Sequence, residues 1–273
     1  MIIFLFVIYS LAYQVETDYV VWYSFSHCTD TNCDNGQSKS ETHRLYKLGS
    51  ESRYLAENEY YNDSIFLLED VNGQLSNLTP SQSNLDKIMN SNFAKNRKRS
   101  WFDLIRVSKD FEKNSYAIYQ KSFTDGIMKL EENKSFIWQI SEEKAEIDGI
   151  ACIRATTSYG GRNWICWFAP SIPIFDGPYV FSGLPGLILK LEDEESIYKW
   201  EMTAYTTHPI AVLHKDPMFN NGTFRDVDRK EFIRAANKTV NGSNSQSVVV
   251  DLSTSAKIQK TLSQKRYLLT EKN

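Results

Sequence analysis

The sequence predicts a mainly β protein: a single curved or partly closed antiparallel sheet with a helical excursion and a short C-terminal helix. Short aromatic and β-branched runs recur along the chain, Gly and Pro turn signals separate them, and no βαβ alternation or internal repeat is visible. The densest punctuation falls between Pro170 and Gly186, which holds four of the seven prolines and three of the twelve glycines. With 273 residues, 41% of them apolar, the chain can bury a sizeable core. A net charge of −3 supplies no field that would recruit nucleic acid or an anionic membrane.

Ile2 to Tyr9 is an apolar run too short to span a bilayer, and Ser10-Leu11-Ala12 places small residues at the −3 and −1 positions of a signal-peptidase site. Residues 1–12 are therefore read as a cleaved signal, 13–240 as one β-rich domain and 241–273 as a loosely ordered tail. Asp18 to Ser26 is aromatic and β-branched and reads as a strand. Cys28 and Cys33 bracket the polar loop CTDTNC, a spacing that suits a local disulfide in an exported protein. Thr42 to Leu48 and Ser52 to Ala56 form a hairpin around Gly49-Ser50.

From Asn62 to Asn92 the composition turns polar, and Ser83 to Met89 is the helical piece of this excursion. The basic run Lys95 to Arg99 reads as a solvated face. Strands resume at Ser115 to Gln120 and at Ser135 to Ile140. Glu146 to Ser158 and Asn163 to Phe168 then form a hairpin about Gly160-Gly161, since hairpin turns need positive φ. That hairpin draws Cys152 and Cys166 towards each other, and a second disulfide is expected there.

Pro170, Pro173 and Pro178 remove three backbone donors, so the segment from Ala169 to Tyr179 is neither helix nor central strand and is expected to cross a surface in extended form. Leu184-Pro185-Gly186-Leu187 has the chemistry of a type II turn. Leu187 to Leu191 and Ile197 to Tyr205 make a further hairpin whose acidic tip, Glu192 to Glu195, reads as a solvated end that discourages edge pairing. Asp226 to Lys238 carries early acids, later bases and an apolar side, the pattern of a short amphipathic helix. A possible strand lies at Ser247 to Leu252.

Between about Phe136 and Tyr205 the sequence resembles the GLPGLI family, exported proteins of Bacteroidota. The resemblance rests on Gly183-Leu184-Pro185-Gly186-Leu187-Ile188 together with Asp148-Gly149, Cys152, Gly161-Arg162, Trp167-Phe168, Ile172-Pro173 and Gly177-Pro178. It implies export, a β-rich fold and a bacterial source, and it implies no reaction.

The chemistry-bearing residues are sparse. His27, His43, His208 and His214 lie outside every strong motif, and no nucleophile elbow, paired metal-binding histidine motif, phosphate loop or dinucleotide fingerprint is present. No cofactor or metal is expected. Arg162 follows two glycines near Trp164 and Trp167, where a guanidinium can stack on a ring or grip a carboxylate such as Asp176. Read as a clamp, it ties the hairpin to the proline connector; read as a ligand site, it acts with Trp164, Trp167, Asp176, Tyr179 and Phe181 at one mouth of the sheet. The structural motif comprises Gly160, Gly161, Pro173, Gly177, Pro178 and the Gly183 to Ile188 hexapeptide. These features point to a protein of the periplasm or outer membrane that binds an apolar ligand in the sheet's concavity or another envelope protein along its edge. The alternative is an envelope hydrolase. A cavity near Leu184 to Leu189 favours the carrier; a polar cleft joining a histidine to a carboxylate and a nucleophile favours the hydrolase.

Overall fold

A computed structural model describes residues 14–28, 38–70, 87, 89–100, 105–122, 126–133, 136–213 and 224–242. Cys33, His214, most of the Ser83 to Met89 segment, and the Ser247 to Leu252 strand lie outside the described residues.

The strands in chain order are β1 (Gln14–Glu16), β2 (Tyr19–Cys28), β3 (Ser38–Leu48), β4 (Glu51–Ala56), β5 (Ile105–Asp110), β6 (Ser115–Ser122), β7 (Gly126–Glu132), β8 (Gln139–Ile147), β9 (Ile150–Tyr159), β10 (Arg162–Ala169), β11 (Leu187–Asp193), β12 (Tyr198–Thr206), β13 (Ala211–Leu213) and β14 (Phe224–Asp226). Three helices accompany them among the described residues: α1 (Glu57–Glu69), α2 (Asn92–Asn96) and α3 (Arg229–Gly242). Twelve strands form one sheet in the order β14-β7-β6-β5-β4-β3-β2-β12-β11-β10-β9-β8. Its ladders are antiparallel except for the parallel β7–β14 pair, and β1 and β13 form a separate ribbon.

Alternation sets the two faces. Along β2 the odd residues Val21, Tyr23, Phe25 and His27 are buried, while Trp22, Ser24, Ser26 and Cys28 are half-buried. The odd set joins inward residues of both wings, from Ile118 on β6 to Trp164 on β10, in one core. The sheet curls far enough to set the Tyr116 hydroxyl 3.2 Å from that of Tyr159. Its end strands β14 and β8 remain unpaired to each other, so closure is partial. A smaller core of Val20, Tyr46, Leu55 and Val212 lies beneath the β1–β13 ribbon on the outer face.

The hairpin turns follow the glycines. Gly160 and Gly161 both have positive φ between the paired residues Tyr159 and Arg162, the type I′ requirement. Asp148 and Gly149 do the same between Ile147 and Ile150, so the run read as one strand from Glu146 is two strands, β8 and β9.

The helical excursion begins at Glu57, directly after β4, with Glu57 and Glu59 in the first turn, where the helix dipole favours acids. Glu69 accepts from the backbone N–H groups of Asn92 at 2.8 Å and Phe93 at 2.5 Å, satisfying free donors at the start of α2. The sequence marks neither β5 nor β7, and the strand expected at Ser135 to Ile140 starts four residues later and ends seven later, as β8.

The expected Cys152–Cys166 disulfide is absent, and Cys28 is also a free thiol. The tight turn pairs Cys166 with Ala155, three residues from Cys152. Three residues of strand span about 10 Å, beyond disulfide reach. Burial pushes the Cys166 thiol up to about 12.

The proline connector, residues 170–186, does not cross a surface. It enters the concave side, where Ile172, Ile174, Tyr179, Val180, Phe181 and Leu184 are buried. Pro178, the buried one of its four prolines, removes a donor that the interior would have had to satisfy, while Pro170, Pro173 and Pro185 face outward. The Leu187 N–H donates to Ile172 O at 3.1 Å, Ile188 N–H to Asp176 O at 3.1 Å, and Gly183 N–H to Phe175 O at 3.1 Å. The turn at Pro185 is tighter than type II, with Gly186 N–H donating to Leu184 O at 2.8 Å.

Candidate functional site

Three polar constellations are built into this frame, and the first holds the connector. Lys109 points inward from β5, its Nζ 2.5 Å from Asp176 Oδ1 and 2.6 Å from Gly177 O. Asp176 also accepts from the Tyr19 hydroxyl at 2.7 Å and from Gly177 N–H at 2.8 Å. Burial pulls the Lys109 ammonium below its ordinary range, and the adjacent carboxylate opposes that shift. Burial beside the same carboxylate pushes the Tyr19 phenol well up.

Arg162 does not reach Asp176. Its Nη1 lies 2.7 Å from Asp193 Oδ2 and 3.1 Å from Glu195 Oε2, with the guanidinium over the Tyr198 ring at 5.3 Å. The clamp therefore joins the β9–β10 hairpin to the tip of the β11–β12 hairpin instead of to the connector. The acidic tip is correspondingly not all solvated: Asp193 is buried, and burial raises its carboxyl despite the Tyr198 N–H and Arg162 beside it. Of the other sequence candidates, Trp164, Tyr179 and Phe181 meet in the core, with Trp164 and Phe181 centroids 4.9 Å apart and Tyr179 stacked 6.4 Å from Trp200. Trp167 is half-buried on the opposite side of β10.

The second constellation was not anticipated. Glu41 and His43, two residues apart on β3, share its inner face with Tyr54 on β4. His43 Nε2 is 2.8 Å from Glu41 Oε1, His43 Nδ1 contacts the Tyr54 hydroxyl, and Ser100 Oγ donates to Glu41 Oε2 at 2.9 Å. Trp200 Nε1 donates to the same Tyr54 hydroxyl at 2.7 Å. Phe25 stacks between His27 and His43, and burial lowers the His27 imidazole to about 4. The Glu-X-His pair on one strand face was the available signal, and an alternation count through Thr42 would have found it. A residual cavity of about 10 Å³ beside His43, Tyr54 and Trp200 has room for at most a single water.

The third lies on the convex face of β3 to β6, a hollow of about 130 Å³ lined by Tyr46, Glu51, Arg53, Arg106, Ser108, Tyr119 and Phe224 among others. Behind it Arg106, itself buried, makes a two-nitrogen contact with Asp63 of α1 and lies 3.6 Å from Glu59. Among the described residues no set of three or more His, Cys, Asp or Glu side chains converges as metal ligands.

Residues 161–190, from the glycine turn to the middle of β11, match a family model described as protein of unknown function (Porph_ging). No curated protein matches the chain. Two solved structures of PNGF-II, in C2 and P21 crystal forms, align with TM-scores of 0.53 and 0.52 at 15% identity, covering 82% of this chain. The chain spans about a third of their length, 33% and 34%. A putative outer membrane lipoprotein-sorting protein domain from Vibrio parahaemolyticus aligns at TM-score 0.32 and 5% identity, over 75% of this chain and 90% of that one. At these identities the PNGF-II likeness is one of fold alone, a large curved sheet shared by chains of different length.

Proposed function

We propose that the protein is an exported, GLPGLI-type accessory protein of the cell envelope, periplasmic or outer-membrane associated, which binds another envelope protein along the edge of its sheet. Residues 13–240 act as its one domain, after the 1–12 signal and before the tail. The observation that carries this reading is the filled concavity. Leu184, Leu187, Ile188 and Leu189 are each no more than 1% exposed, and the connector occupies the place an apolar ligand would take. The apolar-carrier reading is withdrawn on that ground. In this proposal Arg162, Trp164, Asp176, Tyr179 and Phe181 maintain the scaffold.

What is left for recognition is outside. Among the described residues β8 is an edge strand with an unpaired backbone side, and Ile137, Ile140 and Phe175 are 84%, 52% and 59% exposed. Trp138 Nε1 donates to Ser182 O at 2.9 Å, tethering the approach to β8 to the connector that carries Phe175. The test is cross-linking in native envelopes followed by mass spectrometry, for the wild-type chain and for Ile137→Glu with Ile140→Glu. A protein partner captured by the wild type and lost in the double variant is expected. One lipid per chain, or a partner indifferent to both substitutions, overturns the proposal.

The hydrolase reading has one observation in its favour, the Glu41–His43 pair next to Tyr54 and Ser100. Its geometry does not favour a nucleophile: Ser100 donates to the Glu41 carboxylate, and burial pushes the Tyr54 phenol well up. The adjoining cavity cannot admit a substrate.

A further inference from the structure

We infer that the convex-face hollow is a binding site for a neutral saccharide ring, independent of the edge strand that carries the proposed function. The hollow arises from side-chain size. On the outer face, β4 and β5 pair Arg53 with Ser108, and β3 and β4 pair Tyr46 with Arg53. Ser108 is the small residue among these, so larger neighbours stand around it. The far wall is Tyr119 of β6, against which Phe224 of β14 packs edge to face at 5.4 Å.

The lining chooses the ligand by elimination. Arg53 and Arg106 are offset by Glu51, Asp63 and Glu59, with Arg53 Nη2 3.8 Å from Glu51 Oε2 and Arg106 held by Asp63 and Glu59. Glu51 opposes Arg53 at the hollow and Arg106 is paired from behind, so neither a strongly anionic nor a strongly cationic ligand finds an uncompensated counter-charge. A neutral ligand meets neither obstacle. Glu51 and Arg53 project from the same face of β4, with side chains 43% and 27% exposed, and present an acceptor beside a donor, the complement of adjacent hydroxyls. The rings of Tyr119 and Phe224 supply an apolar wall for the C–H face of a sugar. At about 130 Å³ the hollow is smaller than an ordinary ligand pocket, so it seats no more than one ring, with part of that ring in solvent.

The experiment is saturation-transfer NMR on the full chain with the methyl glycosides of glucose, galactose, mannose and N-acetylglucosamine, followed by titration calorimetry for any that respond. At least one is expected to show transfer. Its affinity should fall at least about tenfold in Arg53→Ala and in Phe224→Ala, equivalent to one contact of ordinary strength. Ser108→Phe, which fills the hollow, should abolish transfer with the thermal midpoint unchanged. Silence from all four glycosides at about 10 mM, a regime that detects weak sites, overturns the inference. Affinity unaffected by the three substitutions overturns it equally. Loss of β8 capture in the edge variants leaves this result untouched, so the two readings fail separately.

Discussion

Removing Lys109 should break the attachment of the connector to the sheet. In Lys109→Met the Asp176 carboxylate keeps the Tyr19 hydroxyl and Gly177 N–H donors but loses its cation, while Gly177 O loses its 2.6 Å donor and Phe181 O its 3.3 Å donor. The two ionic side chains are 3% and 1% exposed, so water cannot replace the lost partner in place. Removing one member of a buried pair costs about 3–5 kcal/mol, a large share of an ordinary stability of about 5–15 kcal/mol. Urea unfolding read by tryptophan fluorescence measures it, since Trp164 and Trp200 are both in the core around the connector. Adding Asp176→Asn to Lys109→Met removes the stranded charge and should restore about 1–3 kcal/mol. A loss below about 1 kcal/mol in Lys109→Met, or losses that simply add in the double variant, would refute the view that this pair holds the connector down.

Further expectations concern the turn, the clamp and acid stability. A Cβ at Gly186 would lie 2.3 Å from Ala169 O and 2.6 Å from Ala169 C, both backbone, so Gly186→Ala should abolish soluble yield; Gly49→Ala, with nothing within 4 Å, should retain it, and equal yields would remove the close approach from the account. Arg162→Lys replaces a planar donor array with a point charge and should cost about 1–3 kcal/mol in urea unfolding; an unchanged midpoint would show that the clamp does not stabilise the two hairpins. His27 is neutral in both states above pH 6.5, but between 6.5 and about 4 the unfolded chain binds the proton first. Stability should therefore fall across that window by about 3 kcal/mol, and His27→Phe should flatten the slope; the same slope in both proteins would assign the acid sensitivity elsewhere.

The sheet was legible because its signals are local. Gly160-Gly161 and Gly49-Ser50 announce hairpins within a few residues, and the β-formers around them have no competing periodicity. β5 and β7 escaped notice because IRVSKD and GIMKLEE contain charged residues that a surface strand and a helix display equally. The connector was correctly excluded from helix and strand, yet its depth depends on Lys109 and Trp138, which lie far away in sequence. Cys152 and Cys166 illustrate a different limit: pairing them needs the register to the residue, and the Gly160-Gly161 turn sets it three positions away. The neighbours of Arg162 leave it open as a clamp or a ligand site, and its placement beside Asp193 instead of Asp176 is made by the β10–β11 ladder.

The position of β2 bears on how the chain acquires its shape. It is the second strand of the sequence and sits in the middle of the sheet, between β3 and β12. Its Tyr23 hydroxyl donates to Ile188 O, 165 residues further along, and Tyr19 reaches Asp176 across 157. Contacts so distant in sequence slow folding, because the closing entropy of the loop precedes the reward. During vectorial synthesis, the first half of the chain would present β2 with one side unpaired until β12 emerged. The late connector is thus also a timing element: the amino-terminal wing waits, with its aromatic interior uncovered, for the segment that will fill it.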